Sequence, residues 1–192
     1  MHLPTGYCAR YQNMPRLTRH EGAGSTAIDL APQPYSLDRC MVLPLTTPTQ
    51  NSGCNVVEGI GYDWSALQLN TGSAATYTLP AIDADSVTVI IYSLPFFPTN
   101  KTLSTRYGVS VDGSAMHTCE YRPVEWSYEW KVNVLRNSAV FTARFAIDRQ
   151  ATQHTLTLTG IDPAQMVQRV VLDWGGLKPT YVGPALTQAA RQ

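Results

Sequence analysis

The sequence predicts an all-β fold: an antiparallel β-sandwich of jelly-roll type, with one short helix or turn and an extended C-terminal tail. Three observations carry this. Short alternating or β-branched runs recur at regular spacing, each bounded by Gly, Pro or Asp-Gly. Only one stretch has helical spacing. Charged residues make up 15% of the 192, against 44% apolar, so Thr, Ser, Asn, Gln and Tyr must cover the surface.

Residues 1–25 have no periodicity and read as a flexible lead-in or linker, leaving 26–192 for the sandwich. Thr26–Ala31 is a first candidate strand, and Arg39–Leu45 a second, stopped by Pro44. The polar stretch TTPTQNSG reads as a loop. CNVVEG and SALQLN flank the turn-rich IGYDW, and Ala75–Pro80 alternates cleanly. Ser86–Leu94, SVTVIIYSL, is the best candidate for a central strand, buried on both faces at Val89 and Ile91 or at Val87 and Ile90. RYGVSVDG ends in Asp112-Gly113, a hairpin signal, and SAMHTCEY returns from it. AVFTARFAI and HTLTLTG read as a further antiparallel pair, and RVVLDW as the last strand. VEWSYEWKVNVLRN fits both periods and is assigned to a short helix crossing one end of the sandwich, with Trp130 as a core plug.

Composition excludes several roles. The 14 basic and 14 acidic side chains cancel, so nothing draws the chain to nucleic acid. No run approaches the ~20 apolar residues of a membrane helix, and the N-terminus has no signal-peptide core. Cys8, Cys40, Cys54 and Cys119 lack zinc spacing and read as buried thiols, with a Cys40–Cys54 disulfide as the other option.

Glycoside hydrolysis needs two carboxylates about 5 to 9.5 Å apart across a bond. Glu120, Glu125 and Glu129 form the densest acidic cluster, but Glu125 and Glu129 at i,i+4 would share one helix face; they read as surface acids near Arg122 and Lys131. Asp83–Asp85 sits in a turn and offers at most a structural calcium contact; no other cofactor is indicated. His117 and His154 lie in strands without a nucleophile motif. Aromatic residues point further. Sugar rings stack their C–H faces on aromatic planes, and Trp126 and Trp64 in turn-rich segments are candidate platforms.

The ending GIDPAQMVQRVVLDWGGLKPTYVGP resembles the C-terminal domain of the glycoside hydrolase family 115 α-glucuronidases, with Asp162-Pro163, Gln168, Asp173, Gly175–Tyr181 and Gly183-Pro184 in register. RYGVSVDG is similar to a second block of that family through Arg106, Ser110 and Asp112, and WKVNVLRN to a third through Trp130, Val134 and Asn137. VVEGIGYDWSAL and, in degraded form, TAIDLAPQPY are similar to two more, so the likeness runs from about Thr26 to Pro184. Asp29 stands for a family Glu, a second Glu and a His are missing, Ala164 replaces a usual Gly, and Trp174 a smaller residue.

The resemblance implies a non-catalytic accessory sandwich, built like carbohydrate-binding modules, whose parent enzyme removes glucuronic acid from xylan and is secreted or periplasmic. Its implied partners are glucuronoxylan or a similar polysaccharide, the upstream catalytic domains, or a second subunit in a homodimer. A stand-alone carbohydrate-binding protein is the alternative. Trp126, Tyr128 and Trp64 are then the expected glycan contacts, with Arg106 or Arg122 meeting a uronic carboxylate. The Gly175–Pro184 tail reads as a clasp along the domain.

Overall fold

The computed structural model describes residues 39–95, 105–177 and 184, all within one unit spanning residues 33–192. The lead-in and the strand expected at Thr26–Ala31 lie outside the described residues, as does most of the tail.

Eleven strands form two antiparallel sheets among the described residues. In the first, β3 (Asn55–Glu58), β4 (Ser65–Leu69), β11 (Gln165–Asp173), β6 (Ser86–Ser93) and β9 (Ala139–Ala146) lie side by side in that order. β1 (Cys40–Val42) also pairs with β11. The second sheet runs β2 (Gln50–Ser52), β5 (Ala74–Pro80), β10 (Gln153–Gly160), β7 (Arg106–Val111) and β8 (His117–Glu120). One helix, α1 (Tyr128–Leu135), links β8 of the second sheet to β9 of the first.

Alternation places the core. Val87, Val89 and Ile91 of β6 pack with Val170 and Leu172 of β11 against Tyr77 and Leu79 of β5 and Leu156 and Leu158 of β10, all buried. Tyr107 buries its ring and exchanges a 2.6 Å hydrogen bond with Ser93, while Tyr77 donates to the Leu45 carbonyl at 2.9 Å. At the β4–β5 turn the chains approach so closely that a Cβ on Gly160 would lie 1.9 Å from the Asn70 carbonyl oxygen, so only glycine fits.

β6 is central, between β11 and β9, and of the two expected inward sets Val89 and Ile91 is the observed one, with Val87. Ile90 is half-buried on the other face, beside Val42, Tyr92 and Val171. The β7–β8 hairpin turns at Asp112 (φ 50°) and Gly113 (φ 69°), as the sequence indicates. Two expectations fail. AVFTARFAI and HTLTLTG do not pair: β9 joins β6, and β10 joins β5 and β7 in the opposite sheet. The Asp148–Ala151 turn between them carries the chain from one sheet to the other instead of closing a hairpin. The stretch read as a polar loop also contains β2, which pairs with β5 as an edge strand; its exposed residues have no apolar period to reveal it.

Cys40, Cys54 and Cys119 are buried. Burial pushes the Cys40 thiol up to about 11, with Asp173 adding to it, and the Cys119 thiol up to about 12.

At the start of the tail, Asp173 Oδ1 accepts from the backbone N–H groups of Gly175, Gly176 and Leu177, each at 2.9 Å. Gly175 turns at φ 115°, which favours glycine. A Cβ there would only touch Arg39, at 3.4 Å, so backbone conformation rather than steric clash explains the residue.

Ile91→Ala should cost about 2–5 kcal/mol in urea unfolding, and Ile90→Ala distinctly less. Equal losses would mean that β6 is buried alike on both faces. Ala164 stands exposed at φ 58° where glycine is comfortable. Ala164→Gly should therefore stabilise the domain by up to about 1 kcal/mol, read as a raised melting temperature.

Candidate functional site

The β8–α1 connection and the first residue of α1 carry two exposed aromatic groups, Trp126 and Tyr128. The Ser127 N–H donates to the Val124 carbonyl at 3.0 Å, closing a tight turn with Trp126 at its third position. Trp126 adopts φ 65° there, a conformation that favours glycine. Ser127 then caps α1, its hydroxyl accepting from the Trp130 N–H at 3.1 Å, and Glu129 in the first turn suits the helix dipole. Trp126 is 66% exposed and Tyr128 84%. The Trp126 and Trp130 rings lie 4.9 Å apart at 44°. Trp130 is half-buried and backs Trp126; it is not the core plug that its spacing suggests. α1 buries only Asn133 and leaves Leu135 79% exposed, an inversion of the usual helix pattern.

Trp64 lies on a different loop, between β3 and β4, 76% exposed and again in the left-handed region at φ 56°. The loop is tied down beside it. Asp63 takes a two-pronged contact from Arg169 of β11, at 2.7 and 3.1 Å. Tyr62 lies under the Arg169 guanidinium at 5.1 Å and meets Tyr92 edge-on at 6.2 Å. The Tyr62 hydroxyl donates to the Arg136 carbonyl at 2.6 Å, so this loop reaches the C-terminal end of α1 while Trp126 precedes its N-terminal end.

Arg106 and Arg122 come together on either side of Glu120. Arg106 faces Glu120 in the β7–β8 register, and Arg122 lies 3.7 Å from its carboxylate. Arg106 is already engaged: its Nε and Nη2 reach Asp162 at 3.0 and 3.2 Å, and its backbone N–H donates to the same carboxylate at 2.7 Å. These bonds hold the Asp162 carboxyl below the usual range. Glu125 and Glu129 are exposed. Asp83, of the Asp83–Asp85 turn, pairs with Arg149 at 2.5 Å. Among the described residues no group of three or more His, Cys, Asp or Glu is placed to hold a metal ion.

Two further contacts, besides that of Arg106 with Asp162, escape the sequence reading. One is the Arg169–Asp63 pair, whose only signal is a charge inside the apolar run RVVLDW, since a buried arginine needs a partner. The other is buried His154 of β10, whose Nδ1 lies 2.6 Å from Oδ2 of Asp112 in the β7–β8 turn.

Asp162→Asn should lower the melting temperature at neutral pH. Because the folded carboxyl is depressed, its stabilisation is complete above the ordinary value of about 4 and is lost as pH falls through the folded value. The wild-type advantage in melting temperature should shrink on acidification; a constant gap between pH 7 and pH 2 would contradict the ion pair.

Residues 48–186 match the Glycosyl hydrolase family 115 C-terminal domain. No curated protein matches the sequence. Among solved structures, the chain is similar to the GH115 4-O-methyl-α-glucuronidase BtGH115A, which has specificity for decorated arabinogalactans: 29% identity and TM-score 0.63 over 68% of this chain and 17% of that one. A family 35 carbohydrate binding module from Clostridium thermocellum aligns at TM-score 0.51 and 8% identity, over 69% of this chain and 97% of that one. The Podospora anserina GH26-CBM35 β-(1,4)-mannanase aligns at 0.52 and 9%, over 74% and 29%. The last two likenesses are of fold alone. The profile match over most of the chain places this protein in the family of glycosyl hydrolase family 115 C-terminal domains.

Proposed function

We propose that this domain is a non-catalytic accessory module of a family 115 α-glucuronidase and that it holds glycan through the Trp126–Tyr128 surface. The observation that carries the reading is Trp126 itself, a bulky residue kept in a left-handed turn and directed to solvent over Trp130. Such strain persists where the surrounding structure enforces it, and it clusters at binding sites. Stacking supplies the contact, and Arg122, 3.7 Å from Glu120, supplies a cation for a uronic carboxylate at the same end of β8. Arg106 serves less well, because a ligand carboxylate would have to displace Asp162. Trp64, exposed on the β3–β4 loop, is a second aromatic contact for glycan. Glucuronoxylan and decorated arabinogalactan are the two glycans to compare, the second because it is named for BtGH115A.

A second reading rests on α1. Val134 and Leu135 are exposed on it, and Val124 just before it, a surface suited to packing against the catalytic domains of a parent enzyme.

Trp126→Ala should weaken retardation at least tenfold in affinity gels containing glucuronoxylan or decorated arabinogalactan and leave the melting temperature nearly unchanged. If the wild type is not retarded in either gel, glycan contact is refuted and the packing reading stands. The purified chain should release no uronic acid from aldouronic oligosaccharides; release that disappears in Glu125→Gln or Glu129→Gln would overturn the accessory assignment.

A further inference from the structure

A polar recess lies at the opposite end of β9 from α1, on the outer face of the first sheet. It has a volume of about 590 Å³, within the ~300–1,000 Å³ of small-ligand cavities. Its floor is a cross-strand row, Asp173 of β11, Thr88 of β6 and Arg144 of β9, in direct register on three adjacent strands. Val87 and Val89, on either side of Thr88, point the other way into the core, which sets the row outward.

The lining combines three guanidiniums, Arg39, Arg144 and Arg149, with the carboxylates of Asp83, Asp85 and Asp173. Only Arg149 and Asp83 neutralise each other, at 2.5 Å on the rim. Arg144 donates instead to the Ser86 hydroxyl at 2.8 and 3.1 Å, and Arg39 to the Trp174 carbonyl at 2.8 Å; neither has an ion-pair partner among the described residues. Asp173 commits Oδ1 to three backbone amides, leaving Oδ2 for other donors.

From this we infer that the recess binds a neutral, hydroxyl-rich ligand, a sugar unit of an uncharged glycan segment, independently of the Trp126 surface. The charges select that class. An anion would meet Asp85 and Asp173, and a cation Arg39 and Arg144, whereas each sugar hydroxyl can accept from a guanidinium and donate to a carboxylate.

The test is an array of neutral oligosaccharides from xylan, mannan and galactan, printed beside uronate-bearing counterparts. It is read with the wild type, Trp126→Ala, and Trp126→Ala carrying Arg144→Met. Trp126→Ala should keep binding to at least one neutral glycan, and adding Arg144→Met should weaken that signal at least tenfold. If the double variant fails to melt cooperatively, Asp85→Asn replaces Arg144→Met and should weaken the signal likewise. The inference is overturned if Trp126→Ala binds no neutral glycan, if the pocket substitution leaves the signal intact, or if Asp85→Asn raises binding to uronate probes alone. Loss of all binding in Trp126→Ala would sink this site while supporting the aromatic one, so the two readings fail separately.

Discussion

β11 is the strand on which the described domain depends. On one edge it pairs with β6 along most of its length; on the other it serves β4 with its first residues and β1 with its last. Its pairing with β6 shifts register between Val167 and Arg169. At that irregularity two polar side chains are buried, Gln168 and Arg169. Arg169 grips Asp63 and Tyr62 of the β3–β4 loop, and the Gln168 amide donates to the Asn137 carbonyl just beyond α1 at 2.8 Å. One break in one strand therefore positions the loop bearing Trp64 and the far end of the helix that Trp126 introduces. A buried guanidinium left without its partner is strongly destabilising, so this contact holds the loop firmly.

The two most exposed tryptophans share a backbone feature. Trp64 and Trp126 both occupy the left-handed region, in loops where glycine would be at ease; Gly59 and Gly61, close to Trp64, do so without strain. The sandwich can hold such turns because its core is closed by the two inner faces and needs nothing from either loop. The polar recess is built differently, from the outward side chains of β6, β9 and β11 themselves, so its geometry is as rigid as the sheet.

Much of the fold is legible in the sequence because the pleat writes itself as alternation. Ser86–Leu94 and Ala75–Pro80 are read as strands from their residues alone and match β6 and β5 to within one residue, and Asp112-Gly113 gives its hairpin. The partners of β9 and β10 are not legible, since neighbours in sequence normally pair and only the closing of two sheets sends these apart. β2 is silent because an exposed edge strand carries no hydrophobic period. At the candidate site, exposure of Trp126 and Trp64 follows from their turn-rich surroundings. The role of Trp130 does not, because the helix reverses its own pattern, with Asn133 inward and Leu135 outward. The capture of Arg106 by Asp162 joins residues 56 positions apart and leaves no local trace.

We propose that a rigid β11 lets strained aromatic groups meet glycan without moving the sheet. Indole and backbone amide resonances of the labelled domain, followed while glucuronoxylan oligosaccharides are added, test it most directly. The account predicts that the Trp126 and Trp130 indole signals move together while the amides of Val170, Val171 and Leu172 in β11 stay in place. Stationary Trp126 and Trp130 signals, or shifts spread along β11, would contradict it.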